Sequence, residues 1–90
     1  MPASRRFVLA PGVMAQTALE EAVLLDARSG AYFAANDTAT CVLRALLAGQ
    51  SEAEIVDLLA ATFAAPREQL QHDVRGCLDD WLQRGIVVAR

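Results

Sequence analysis

Few side chains in this 90-residue chain can do chemistry, and their spacing suits no catalyst. The one histidine, His72, has neither a second His nor a Cys at ligand spacing, and Cys41 and Cys77 are the only thiols, far apart and without a Cys-x-x-Cys motif. Ser51 followed three residues later by Glu54 has the spacing of a helix capping box, which accounts for that hydroxyl without a catalytic role. Asp79-Asp80 reads as an exposed turn of helix, and the five glycines are expected at separate turn positions rather than in a phosphate-cradling loop. With no nucleophile–base pair, acid/base carboxylate pair or metal cluster, the expectation is a non-enzymatic protein with no catalytic residue, no metal and no cofactor.

What remains is backbone chemistry. In the run Ala31-Tyr32-Phe33-Ala34-Ala35, read as a strand, Tyr32 and Ala34 share one face while Phe33 and Ala35 share the other. Three of these five side chains are single methyl groups, so the main chain is approachable. Strand edges that must stay unpaired carry Lys, Pro or an inward charge, and this run has none of them. Two readings follow: the strand is central or covered, or its edge is open so that a peptide can add to it through main-chain hydrogen bonds. The residues alone leave both open.

The elements that position this strand come from the hydrophobic pattern. Phe7-Val8-Leu9 is a short strand ended by the turn pair Pro11-Gly12, and Val13 to Gln16 extends or re-enters it. Glu20 to Leu25 is the second strand. The segment Asp26 to Gly30 is a hairpin connection, with Gly30 suited to a positive φ, and Ala31 to Ala35 is the third strand. Asn36 or Asp37 then caps a helix carrying Ala39, Val42, Leu43, Leu46 and Leu47, which stops at Gly49. A second helix starts at Ser51 and runs to Phe63, and a third runs from Pro66 to Arg84, before Gly85 and the apolar tail Ile86-Val87-Val88. The third helix carries Leu70, Val74, Cys77, Leu78, Trp81 and Leu82 on an arc of roughly 140°, wide enough for two neighbours, one of which is the core and the other a candidate ligand strand. The fold class expected is α+β and winged helix-turn-helix-like, a three-stranded antiparallel sheet followed by three helices.

Composition sets the bounds. The 90 residues make one domain, 1–90, with an ordered core at about 7–88 and a loose polar start from Met1 to Arg6. With 54% hydrophobic and 21% charged residues the chain has the profile of a globular protein. Eight Arg against 11 acidic residues give a formal charge of −3, which offers no field for nucleic acid or an anionic membrane. The second helix has no basic residue and carries Glu52, Glu54 and Asp57, so a winged-helix DNA-binding protein, which shares this element order, stands only as an alternative. No stretch reaches membrane-spanning length and no signal segment opens the chain, so the expected location is the cytoplasm.

Taken together, V-L-L-D at Val23 to Asp26, G-A-Y-F-A-A-N-D-T-A from Gly30 to Ala39, L-L-A-G-Q-S-E-A-E-I from Leu46 to Ile55, Asp73-Val74, Leu78, Leu82 and Gly85-Ile86 resemble the PqqD-like family, from about Phe7 to Val88. Two positions depart from the pattern: Ala35 stands where the family usually has Leu, and Trp81 is larger than expected. The resemblance implies a recognition element for ribosomally synthesised, post-translationally modified peptides. In such elements the precursor's leader segment adds as a strand beside the third strand, in the groove between it and the third helix. Carried onto this chain, the leader-binding residues are Ala31, Tyr32, Phe33 and Ala34 with Leu70, Asp73, Val74, Cys77, Leu78 and Trp81. The implied partners are the precursor leader peptide and, as in lasso-peptide clusters, a leader peptidase and a macrolactam-forming cyclase or other modifying enzyme. The runner-up is the peptide carrier that serves a radical SAM enzyme in pyrroloquinoline quinone synthesis. Neither reading involves nucleic acid or a membrane, and an open strand edge also allows a homodimer in which two copies pair through it.

Overall fold

The computed structural model describes residues 4–90, in the order β1 (Phe7–Leu9), β2 (Val13–Gln16), β3 (Val23–Asp26), β4 (Ala31–Ala34), α1 (Asp37–Leu47), α2 (Glu52–Thr62), α3 (Arg67–Gln83) and β5 (Val87–Ala89). The α+β class is as expected: β2, β3 and β4 form a three-stranded antiparallel sheet, and three helices follow it. Membership of the sheet differs from expectation at its start. Phe7–Leu9 does not join it but pairs antiparallel with the C-terminal strand, Phe7 opposite Ala89 and Leu9 opposite Val87. The cause is the Pro11-Gly12 turn, where Gly12 takes a φ of 89° and Val13 donates its N–H back to Ala10 O, so the chain leaves one sheet and enters another.

The helices begin where the capping residues stand. Asn36 accepts the Ala39 N–H at 2.8 Å, and Ser51 and Glu54 form the reciprocal capping box. Each such cap stabilises its helix by about 1 kcal/mol. The start of the chain is less free than the sequence suggests. Met1 to Ala3 of the expected loose segment lie outside the described residues, but Ser4 Oγ accepts the Ala53 N–H and Arg5 O accepts the Glu52 N–H, so this arm satisfies the exposed donors of α2.

The core lies between the helices and the inner face of the sheet, with Leu24, Leu43, Ile55, Leu59, Leu78 and Ile86 fully buried. Strand alternation puts Val13, Ala15, Leu24 and Phe33 on that inner face, and Met14, Leu25 and Tyr32 in one cross-strand row on the outer face. Thr40, buried in α1, accepts the Ala22 N–H at 3.0 Å and donates to Ala35 O at 3.3 Å, which ties the start of β3 and the end of β4 to the helix. At the other end of the hairpin Arg28 is paired with Asp26 at 2.9 Å and donates to Gly85 O at 2.8 Å. These two ties fix the β3–β4 hairpin relative to α1 and to the end of α3.

Candidate functional site

Strand β4 is an edge: the order is β2-β3-β4, and among the described residues nothing pairs with its far side. Its parity follows from one bond. Ala35 donates its N–H to Ala22 O at 2.8 Å, so Ala35 belongs to a hydrogen-bonded pair. In an antiparallel ladder such pairs alternate, so Phe33 opposite Leu24 and Ala31 opposite Asp26 also bond inward. The N–H and C=O groups of Tyr32 and Ala34 therefore point away from β3, toward the open edge. The edge offers a ready-made ladder of two residues flanked by methyl side chains.

Beside this edge runs one flank of α3. Phe33, half-buried, is covered by the Arg84 guanidinium, 5.4 Å from its ring centre, and Arg84 is in turn held by Asp80 at 3.0 Å. Further along the same flank a hollow of about 450 Å³ opens between α3 and the start of α1, lined by Asn36, Thr38, Ala39, His72, Asp73, Gly76 and Cys77. Burial, with a smaller contribution from Asp80, pushes the Cys77 thiol up to about 12, so at neutral pH it is an uncharged wall of the hollow. Asp73 is exposed at the rim and makes no ion pair among the described residues.

The site residues expected from sequence divide into two groups. Ala31, Tyr32, Phe33 and Ala34 line the edge, and Asp73 and Cys77 stand across from the end of β4. Tyr32 is on the outer face, 71% exposed, so Phe33 rather than Tyr32 faces α3. Leu70, Val74, Leu78 and Trp81 turn inward and are buried in the core. The wide apolar arc of α3 has a cause internal to the chain, because the helix packs on α2, α1 and β5. Asn36, Thr38, Ala39, His72 and Gly76 were missed. Asn36 reads from sequence only as a cap, and Gly76 is not at a turn at all but in the interior of α3, an oddity visible in the sequence once the helix is placed.

Among the described residues no group of three His, Cys, Asp or Glu side chains could hold a metal ion, and no helix is long and apolar enough to cross a membrane. Comparison with known families decides the rest: the family model described as coenzyme PQQ synthesis protein D (PqqD) matches residues 21–87, from just before β3 into β5.

The chain belongs to the PqqD family.

The solved structures similar to this PqqD-family chain include a lasso peptide synthetase B1 complexed with the leader peptide, with 29% identity over 92% of this chain and 98% of that one and a TM-score of 0.84. A second, TbiB1 in complex with the TbiA(beta) leader peptide, has 24% identity over 88% of this chain and 92% of that one, with a TM-score of 0.82, and attests the fold. No curated protein matches. The PqqD-like resemblance read from the hairpin and helix motifs is thus correct, and both of these solved structures hold a leader peptide, the first of them in a protein described as a lasso peptide synthetase.

Proposed function

We propose that this protein binds the leader segment of a ribosomally made precursor peptide by strand addition to β4, and delivers it to a leader peptidase and a macrolactam-forming cyclase. The observation that carries the reading is the open β4 edge, with the Tyr32 and Ala34 backbone groups facing outward beside the α3 hollow. Its likeness to a B1 protein complexed with a leader peptide supports the same reading. The leader pairs antiparallel with Ala31–Ala34, and its alternate side chains face Phe33, Cys77 and Asp73. The chain acts as a non-catalytic adaptor. Leu70, Val74, Leu78 and Trp81 support the groove from behind, as the packed layer on which α3 rests.

Delivery needs a second surface that remains free when the leader is bound. The outer face of the sheet supplies one: Met14, Leu25 and Tyr32 are aligned across three strands and all solvent-exposed. Two copies pairing through β4 would occupy the leader site, so a homodimer of that kind would mask it and compete with the leader. A second reading is favoured by the family's own description, coenzyme PQQ synthesis: a peptide carrier for a radical SAM enzyme, using the same edge.

The test is to titrate a synthetic leader, encoded by the precursor gene beside this one, into isotope-labelled protein and follow backbone amide shifts. The expected result is micromolar or tighter binding, with large shifts confined to residues 31–36 and 72–84. A response to duplex DNA and none to leader would restore the winged-helix DNA-binding alternative. Leaders from lasso and quinone clusters, compared side by side, separate the two peptide readings.

A further inference from the structure

Gly76 has no structural reason to be glycine. It sits inside α3, seven residues from the helix's C-terminal residue Gln83, and it is not among the glycines with positive φ. A Cβ built there would meet nothing within 4 Å, so no close approach of another element requires its absence. Glycine within a helix is destabilising relative to alanine, and the chain carries that cost without any return in its own packing. The one feature that its missing side chain enlarges is the hollow beside the β4 edge, whose other walls are Asn36, Thr38, Ala39, His72, Asp73 and Cys77.

We infer that Gly76 is a specificity-determining residue, keeping the hollow open for one bulky leader side chain with an apolar shaft and a hydrogen-bond donor at its tip. This rests on the leader-binding reading above and deepens it. The shaft matches Ala39, Gly76 and the uncharged Cys77 thiol; the donor matches the Asp73 carboxylate at the rim and the Thr38 hydroxyl, the Asn36 side-chain oxygen being already engaged by the Ala39 N–H. Continuity with the edge sets which leader positions qualify. Phe33 and Ala35 face the α3 side of the sheet, so the incoming side chain belongs to the alternate leader residues that share their face.

The experiment measures binding of the fluorescently labelled synthetic leader to wild type, Gly76→Ala and Gly76→Leu, each checked by thermal melting. Both variants should melt at or above the wild-type temperature, because alanine and leucine favour the helix and point into open space. Affinity should fall severalfold for Gly76→Ala and by at least about tenfold for Gly76→Leu, the scale of an overfilled pocket. An alanine scan of the leader should then find one bulky residue whose truncation erases the difference between wild type and Gly76→Leu. If all three proteins bind the leader equally, the hollow takes no side chain and the inference fails while leader binding stands. If wild type does not bind the leader at all, both fall together.

Discussion

The two flanks of α3 are built to opposite plans. Toward α2 the helix is stitched by charge: Arg67 pairs with Asp57, Arg75 reaches Glu52 at 3.4 Å, and Asp79 receives Arg5 at 2.9 Å, while Arg5 also holds Glu52 at 2.7 Å. Toward β4 the helix shows Asp73, Gly76, Cys77 and Asp80. The ion pair there stays local, from Asp80 to the C-cap residue Arg84, and the contact across to the strand is the Arg84 guanidinium over Phe33. The first flank spends its side chains on neighbours in the same chain. The second leaves backbone groups and a hollow unoccupied. A single helix thus serves as structural strut on one side and, on the other, as wall of the groove proposed for the leader.

This contrast can be broken or sharpened in four ways. The largest expected effect is chemical. The Cys77 thiol, pushed up to about 12 from an ordinary value of 9.0, holds roughly a thousandfold less thiolate at pH 8 than a free cysteine. Its alkylation by iodoacetamide, followed by mass spectrometry, should be slower by orders of magnitude, since burial withholds both the thiolate and access to it. Because burial is the main cause, Asp80→Asn should change that rate little, and an ordinary rate would mean that the Cys77 thiol itself stands in water rather than behind the surface of the hollow.

Next is the parity of the edge. Tyr32→Pro and Ala34→Pro remove only outward-facing donors, so both should fold and lose leader affinity by about a hundredfold or more, whereas Phe33→Pro breaks the ladder to β3 and should lower the melting temperature sharply. Proline tolerated at all three positions, in fold and in binding, would end the strand-addition model.

The stitched flank gives a smaller effect of the opposite kind. Glu52, with a side chain only 15% exposed, is shared by Arg5 and Arg75, so Glu52→Ala should cost about 1 kcal/mol in urea unfolding, at the upper end for partly solvated pairs, and leave leader affinity unchanged. A loss of affinity there would show that the two flanks are not independent.

The smallest effect concerns pH. Hydrogen bonds from Ser51 in the capping box hold the Glu54 carboxyl below the usual carboxylate range. A carboxylate whose folded-state value is depressed contributes stability that is present above its unfolded value and is lost as pH falls through the folded one. Wild type should therefore lose a small part of its stability over that acidic window, and Glu54→Gln should lack this component of the titration.

Local chemistry made much of this legible. Asn36, Ser51 with Glu54, and Gly30 announce the starts of two helices and the turn of a hairpin because each satisfies donors, or supplies a φ, within a few residues of itself. The lack of edge protection in Ala31–Ala34 was visible for the same reason, since which side chains blunt a strand is a property of the strand alone. The residues left a covered strand open as well, however, and only the family resemblance favoured the bare edge. The apolar arc of α3 misled because periodicity reports how much of a helix is buried and not by what. Leu70, Val74, Leu78 and Trp81 face the protein's own core, and of the arc only Cys77 lines the hollow, whose further walls Asn36, Thr38, His72 and Gly76 carry no apolar signal.

Sequence by itself therefore determined the three helices, the caps of α1 and α2, the hairpin and the absence of edge protection on its second strand. Tertiary structure alone decided three things. It paired Phe7–Leu9 with Val87–Ala89, a contact across nearly the whole chain that no local pattern encodes. It set the ladder so that Tyr32 and Ala34 face outward, since parity depends on the register of β4 against β3 and not on the residues of β4 alone. And it set Gly76 against the start of α1, where the absence of a side chain becomes a space.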